Sequence, residues 1–480
     1  MTAYEPVIGI EVHVELATQT KMFCACENRP FELEPNSATC PTCLGLPGAL
    51  PVANSEAIQL GIRAALALNC QVGEVCMFER KNYAYPDLIK GYQISQYALP
   101  IGRNGFVTIH DDSIEKNIQI RRAHLEEDTA KLTHRQLSSG KSISLLDCNR
   151  SGVPLLEIVT EPTIHSAQDA ELFLRELRSI LIHNGISRCR MQRGEMRLEA
   201  NISLRPEGSE EFGPRVEIKN QSSFRFVREA LAYEIARQSD LLDQGQPVKQ
   251  ATVGWDSEAR RTFEQRLKEE AHDYRYFPEP DLPPIEIGKD WIERQRRAMP
   301  ESLDSFRRRL LQSGISAADI HTVVMNDTVE FLHQACSLYP DGAGSILRCL
   351  IRDVFSLVNE KKIPIGDSNL TPVNLVEVVK LVDGGEINFA AQSKILQELF
   401  AEGGSAEAIM KRDGLGQVSD AGAIAFEVDQ VLQERSDLVE QYRAGKAAVR
   451  NALFGQIMKR LKGRGDPKQI DSLLQKRLDG

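Results

Sequence analysis

The sequence predicts an α+β protein, in which an antiparallel sheet with one charged face and flanking helices precedes a long helical region. Three observations carry this. Residues 8–16, Ile-Gly-Ile-Glu-Val-His-Val-Glu-Leu, alternate with period two; residues 197–205 and 215–219 alternate in the same way; and from Trp291 onward the apolar spacing becomes helical.

The first strand sets Ile8, Ile10, Val12, Val14 and Leu16 on one face and Glu11, His13 and Glu15 on the other. A strand that merely meets solvent would mix Lys, Thr, Ser and Gln on its polar face. This one carries only carboxylates and an imidazole, about 6.6–6.8 Å apart. Two readings stay open at this point: an acidic outer surface, or a rigid row of ligands for a hard cation.

Cys24-Ala-Cys26, thirteen residues, then Cys40-Pro-Thr-Cys43 follows directly. Two close pairs joined by a loop can fold four thiolates into a tetrahedron around Zn²⁺, with Gly45 letting the chain pass close. Such a site is full, hence structural; the alternative is four free thiols. The other six cysteines are scattered and read as small buried residues.

Residues 78–87 (Phe-Glu-Arg-Lys-Asn-Tyr-Ala-Tyr-Pro-Asp) and 273–281 (Asp-Tyr-Arg-Tyr-Phe-Pro-Glu-Pro-Asp) interleave aromatic and basic groups. They suit base stacking or equally a packed turn. His124-Leu-Glu126-Glu127-Asp128 is a dense acidic run, unremarkable as an exposed loop. In Val153-Pro-Leu-Leu-Glu157-Ile-Val159, Glu157 interrupts an apolar strand. A carboxylate there needs a cation or a strong donor; an ion pair with Arg150 would serve as well as a metal. Residues 167–184 and 224–242 have helical spacing. Leu198, Ala200, Ile202 and Leu204 oppose Arg197, Glu199, Asn201, Ser203 and Arg205 on one alternating segment, and Glu217 lies between Arg215 and Lys219 on the other. The connector at 206–214 is a loop by composition, so these two segments are expected to pair antiparallel.

The proline-rich stretch 278–284 closes this region. Helical pattern then runs from Trp291 to about Glu402, broken near Ser313-Gly314 and Asp383-Gly-Gly. After Gly403-Gly-Ser405 comes a last helical block with an apolar stripe of Ile424, Val428, Val431 and Leu432. A chain of 480 residues implies two to four domains, and 42% hydrophobic with 26% charged residues is ordinary globular composition. The start lacks a basic, then apolar, leader and no stretch could span a bilayer, so a cytosolic setting is expected.

Net charge is −10, which argues against a nucleic-acid partner for the chain as a whole. Residues 441–480, however, hold ten basic residues (Arg443, Lys446, Arg450, Lys459, Arg460, Lys462, Arg464, Lys468, Lys476, Arg477) against three acidic ones, a local +7. This suggests a polyphosphate partner or, alternatively, a solvated helical face.

A cluster of carboxylates and one imidazole on a sheet face must be offset by divalent cations or by the interleaved bases Arg150, Arg197, Arg205, Arg215 and Lys219. Such ligands suit Mg²⁺ or Mn²⁺ better than zinc. Ala444-Gly-Lys446-Ala447 lacks the other marks of a Walker loop, and no kinase set, dinucleotide fingerprint or nucleophile elbow is present.

Several runs together resemble the GatB family, the B subunits of tRNA-dependent amidotransferases. They are Val7–Leu16, Arg80–Asp87 (Arg-Lys-Asn-Tyr-Ala-Tyr-Pro-Asp), Tyr92-Gln-Ile-Ser-Gln96, His124–Asp128, Asp147–Thr160, Val216-Glu-Ile-Lys-Asn220, Asp273–Pro283 and Gly455-Gln-Ile-Met-Lys459, in the same order from end to end. The resemblance implies a carbon–nitrogen ligase with glutamine as amido donor. The side-chain carboxylate of Glu-tRNA(Gln) or Asp-tRNA(Asn) would be phosphorylated by ATP and amidated with ammonia from a glutaminase A subunit, in a heterotrimer with a C subunit. It implies Mg²⁺ ligands among Glu11, His13, Glu126, Glu127, Glu157 and Glu217. Lys81, Lys219 and Arg150 would contact ATP or the acyl phosphate, and structural Zn²⁺ would sit on Cys24, Cys26, Cys40 and Cys43. It further implies a cradle-like catalytic domain (1–292), a helical domain (293–406) and a tail domain (407–480) that binds tRNA. Glu199 stands where the family usually has Asp, and Gln221-Ser222 where it has Leu-Asn, so Glu199 is not counted among the ligands. Two other classes fit the carboxylates alone: an Mg²⁺-dependent nucleic-acid hydrolase, or a non-catalytic RNA-binding scaffold.

Overall fold

The computed structural model of the chain describes residues 4–111, 114–267, 273–417, 421–461 and 465–479. The chain divides into two compact units, Met1–Arg309 and Leu310–Gly480.

The first unit is built on nine strands: β1 (Tyr4–Glu15), β2 (Gln71–Val72), β3 (Gly102–Asp111), β4 (Ile114–Glu127), β5 (Pro154–Thr160), β6 (Met196–Pro206), β7 (Val216–Lys219), β8 (Ala251–Asp256) and β9 (Arg261–Leu267). They form one sheet in the order β9-β8-β7-β6-β1-β5-β4-β3-β2. The expected antiparallel pairing of β6 with β7 is present. One pair, β7 with β8, is parallel. A parallel pair needs a crossover, and the helix α3 described below supplies it. The acidic run at 124–128 is not an exposed loop: it is the end of β4, and its side chains are buried.

Three helices cover one face of the sheet: α1 (Ser55–Ala67), α2 (Ala167–His183) and α3 (Phe224–Asp243). Each start is fixed by a side-chain oxygen that accepts from the first turn: Asn54 from Glu56 N–H, Ser166 from Asp169 N–H and Ser223 from Phe226 N–H. Against these helices the sheet turns its apolar side. Ile8, Ile10, Val12 and Val14 of β1 are buried, as are Leu198, Ala200, Ile202 and Leu204 of β6. The period-two alternation then fixes what the other face must carry. Glu79–Asn82, Tyr92–Ser95 and Phe277–Pro278 form a separate three-stranded ribbon.

Within the second unit every described element is helical. Gly314, at φ +86°, ends one helix where the sequence predicts a break. At the chain's end four helices (Ala421–Glu434, Ser436–Arg443, Val449–Arg460, Pro467–Asp479) enclose their own core. Ile424, Val428 and Val431 of the predicted stripe are buried in it, and Leu432 packs against it partly buried. Of the ten basic residues of this tail, Lys462 and Arg464 lie outside the described residues. Arg450, Arg460 and Arg477 are engaged with Asp471, with Glu427 and Glu434, and with Asp429. Part of the positive charge is therefore internally neutralised.

Candidate functional site

Strand register builds the site. β6, β1, β5 and β4 lie side by side, and Arg197, His13, Glu157 and His124 occupy consecutive positions of one cross-strand row. Two residues along β1, Glu11 faces Glu199 of β6, and Asn201 of β6 faces Glu217 of β7. His13 Nε2 lies 3.3 Å from Glu157 Oε2 and 3.5 Å from Glu126 Oε1. His124 Nε2 lies 3.1 Å from Glu157 Oε2 and 3.6 Å from Glu126 Oε2. Ser95 Oγ donates to Glu126 at 3.0 Å. Beside this cluster Asn201 Nδ2 donates to Glu11 (2.9 Å), while Lys219 Nζ bridges Glu217 (2.8 Å) and Glu199 (2.9 Å). Lys81 Nζ stands 5.1 Å from the ring centre of Tyr274, which sets an edge against Tyr83.

The electrostatics are polarised along the row. Burial opposes ionisation of Glu157, but the two imidazoles overcome it and hold its carboxyl well below the ordinary range. Burial likewise opposes protonation of His13, and Glu157 with Glu126 reverses the balance, raising it to about 9. His124 is raised for the same reasons. Glu126 is held down by His124 and Lys81 against burial, and Lys81 is held up by Glu126 and Glu157 against its own burial. Glu11 goes the other way: burial, then repulsion from Glu157 and Glu199, raise its carboxyl.

Most of these groups line a cavity of about 760 Å³, while His124 and Ser95 are buried against its carboxylates without lining it. Seven of the expected residues meet there: Glu11, His13, Lys81, Glu126, Glu157, Glu217 and Lys219. Two do not. Glu127 follows Glu126 on β4 and so points to the opposite face, where it accepts from Lys90 and from the Ile94 N–H (3.0 Å). Arg150 donates to the carbonyls of Thr129 (3.0 Å) and Ala130 (2.9 Å) and lies 3.6 Å from Asp128. It fastens the end of β4 rather than facing the cavity. The partner of Glu157 is thus a pair of histidines, not Arg150. Glu15 shares the face of His13 but lies apart, in a smaller recess with Arg188, Arg190 and Arg193; burial and Asp128 push it up to about 8.

His124 is the main site residue that sequence reasoning misses. Its signal is the alternation of His124 and Glu126 within one strand. Asn201 is another, whereas Arg197, already counted among the interleaved bases, donates to Asp128 at 2.6 Å. The two aromatic segments mix packing with lining: Tyr97 and Tyr276 stack at 4.6 Å, whereas Tyr83 and Tyr274 border the cavity.

The four cysteines converge: their sulfurs lie within 4.8 Å of one another, a spacing that can hold a zinc ion. The Cys40 N–H donates to Cys43 Sγ at 3.1 Å, as a knuckle turn should. Cys43 is pushed down to about 4, chiefly by the hydrogen bond from the Cys24 thiol. Lys21 is fully buried alongside, with Nζ 2.8 Å from Ala38 O and 3.6 Å from Cys43 Sγ. Gly45 has φ +66°, and a side chain there would strike Lys90, so the close passage expected of it is real.

The sheet face gathers carboxylates, one imidazole and lysines in one open cavity, the donor types of a polar catalytic or binding site. Comparison with known proteins narrows this. Residues 6–293 match the GatB/GatE catalytic domain and residues 330–478 match the GatB domain. The B subunit of the aspartyl/glutamyl-tRNA(Asn/Gln) amidotransferase of Carboxydothermus hydrogenoformans is 43% identical over 480 residues, covering 100% of this chain and 99% of its own. The proteins of the same name from Persephonella marina and Moorella thermoacetica are each 44% identical over 477 residues, covering 99% of this chain and 99% and 100% of theirs. The chain belongs to the GatB family.

Proposed function

We propose that this chain is the B subunit of a tRNA-dependent amidotransferase. In that role it activates the side-chain carboxylate of Glu-tRNA(Gln) or Asp-tRNA(Asn) with ATP and amidates it. The observation that carries this reading is the cluster of Glu126, Glu157 and His13 beside Lys81 in one cavity, with His124 buried against the two carboxylates. The chemistry brings two anions together: a substrate carboxylate oxygen attacks the γ-phosphorus of ATP, the bond to the bridging oxygen breaks, and ADP leaves. Ammonia then attacks the acyl carbon, phosphate departs with the bonding electron pair, and the nitrogen sheds one proton, which the departing phosphate takes up, leaving the amide. No covalent enzyme intermediate is needed.

The residues divide this work. The ammonium groups of Lys81 and Lys219 supply positive charge where the carboxylate and γ-phosphoryl meet. Glu126 and Glu157 keep Lys81 charged despite its burial, and Glu199 and Glu217 do the same for Lys219. Glu126, Glu157 and His13 have ligand atoms within 4.8 Å of one another, and these hard donors fit Mg²⁺, with Glu11 and Glu217 farther along the same cavity. Bound there, Mg²⁺ would supply charge neutralisation between carboxylate and phosphate. Asn201 fixes the rotamer of Glu11, and Ser95 that of Glu126. Tyr83 and Tyr274 contribute aromatic surface to the cavity lining, which would limit water around the reactive acyl phosphate. The four cysteines would hold structural Zn²⁺ just after β1. Ammonia would come from a glutaminase A subunit in a heterotrimer with a C subunit. The domain 1–292 would carry the chemistry, 293–406 would be helical, and the tail 407–480 would bind tRNA. This role in translation implies a cytoplasmic setting.

The test combines the chain with its A and C partners, ATP, glutamine and each misacylated tRNA. Formation of Gln-tRNA(Gln) or Asn-tRNA(Asn) is expected. Glu157→Gln should lower it about 10²-fold or more while tRNA binding persists. Full activity of that variant would refute the site assignment, and Mg²⁺-dependent cleavage of nucleic acid without ATP would favour a hydrolase.

A further inference from the structure

Among the described residues, the hairpin of Lys131–Gln136 and Ser142–Asp147 pairs with no third strand. A two-stranded ribbon alone is marginal in water, and residues 134–142 and 144–146 of this one are all exposed. Its two legs are nevertheless pinned where they leave the fold. The outgoing leg follows Asp128 and Thr129, which line the charged cavity, and Arg150 donates to the Thr129 and Ala130 carbonyls. The returning leg is held by the loop between the two cysteine pairs. Asn36 Nδ2 donates to Leu146 O (3.0 Å), Asn36 Oδ1 accepts from the Cys148 N–H (2.7 Å), and Asp147 Oδ1 accepts from the Asn36 N–H (3.0 Å). Asn149 closes the net, accepting from the Ala38 N–H (2.8 Å) and donating to Glu34 O (2.7 Å). The cysteine loop thus aims an arm of six residues per strand, about 20 Å long, from the cavity wall.

Residues 131–146 contain no Asp or Glu, in a chain whose net charge is −10. Bases of β4 are answered by carboxylates, Lys116 by Asp169 and Arg121 by Glu161. Lys131, Arg135 and Lys141 of the hairpin make no ion pair among the described residues. Leu145 and Leu146 are exposed, but adjacent strand residues point to opposite faces, so neither face is wholly apolar. Unanswered positive charge, rather than an apolar patch, selects the partner, and a polyanion fits it.

Resting on the amidotransferase reading above, we infer that this hairpin is an arm for the backbone phosphates of the RNA segment that leads into the cavity. An aminoacyl group delivered to the cavity brings its polynucleotide past the wall from which the hairpin springs. Lys131 and Arg135, four residues apart on one strand, share a face of the ribbon and present two charges to that backbone. Lys141 adds a third where the turn ends. Contacts of this kind fix the position of the acceptor end and do not read its sequence.

The test measures binding of an acceptor-arm minihelix with a single-stranded 3′ end, across a salt series, to the chain assembled with its A and C partners. Lys131→Gln, Arg135→Gln and Lys141→Gln together, all at exposed positions, should weaken binding about tenfold or more and reduce the slope of log affinity against log salt by about two. Lys131→Arg, Arg135→Lys and Lys141→Arg together keep the charge and should bind as the wild type does. Unchanged affinity and slope in the Gln variant overturn the arm, as does an equal loss in the charge-keeping variant. Loss of the A or C subunit from the Gln variant, with minihelix binding intact, makes the hairpin a protein interface and overturns it too. A wild-type complex that forms no amidated tRNA, while the minihelix effect persists, refutes the amidotransferase reading and leaves the arm standing.

Discussion

Replacing Glu157 by Gln tests the electrostatic account of the site with a number attached. In the metal-free chain His13 is held at about 9 against an ordinary 6.5. At about 1.4 kcal/mol per pH unit, that gap amounts to about 3 kcal/mol in favour of the imidazolium. His13 is only 19% exposed, so solvent screens little of it. Gln keeps the shape and removes the charge 3.3 Å away, leaving Glu126 alone to oppose the burial penalty. The His13 titration should then move down by more than one pH unit. NMR titration of labelled histidines in EDTA, with His13→Asn for assignment, reads it directly. The linkage has a definite sign. A folded-state value above the unfolded one stabilises fully below 6.5 and is lost as pH rises through 9. The His13 contribution to unfolding free energy should fall by about 3 kcal/mol over that window in the wild type and much less in the variant. Identical His13 titrations in the two proteins would refute the reasoning. If His13 is also a ligand, its proton must leave before Nε2 can bind a cation. Mg²⁺ affinity should then climb toward pH 9, by up to about tenfold per pH unit; a flat profile would remove His13 from the ligand set.

Lys21→Met removes the buried ammonium beside the four sulfurs, and zinc retention against a chromophoric chelator should fall about tenfold or more; unchanged retention would contradict its role as counter-charge. Glu176→Ala removes the buried partner of Arg307, both side chains being 4% exposed, and leaves it only Asp304 at 3.6 Å, so it should cost about 1.5–3 kcal/mol in denaturant unfolding; a loss under about 0.5 kcal/mol would show that the pair is not energetically coupled. Deleting residues 407–480 should weaken tRNA binding and flatten its salt dependence; unaltered affinity would refute the tail's assignment.

A sequence discloses what repeats within one strand or one short loop. β1 is legible because alternation is local, and the cysteine cluster because its spacing is short. Partners across strands are not, since register is set by pairing between segments far apart in the chain. Proximity along the chain offers Arg150 to Glu157, while the structure gives it His13 and His124 through β1 and β4. Glu127 goes with Glu126 only so long as the run 124–128 is taken for an acidic patch. As a strand, the same run separates them by period two and brings His124 in. The parallel pairing of β7 with β8 is equally hidden from the sequence, although the helix between them is not.

The register has a chemical consequence that composition alone does not suggest. Two imidazoles answer the carboxylates at the Glu126–Glu157 end, and Lys219 answers Glu199 and Glu217 at the other. Between these ends, Glu11 accepts from the neutral amide of Asn201, and burial and neighbouring charge raise its carboxyl. A sheet selected for stability alone would place an apolar or basic residue at that position, because a half-buried carboxylate with no close cation is costly. The residual repulsion at Glu11 is instead what a cation or a cationic ligand group would relieve on binding. Within the cavity, the carboxylate whose charged form the fold opposes is thus the one with most to gain from a cationic ligand.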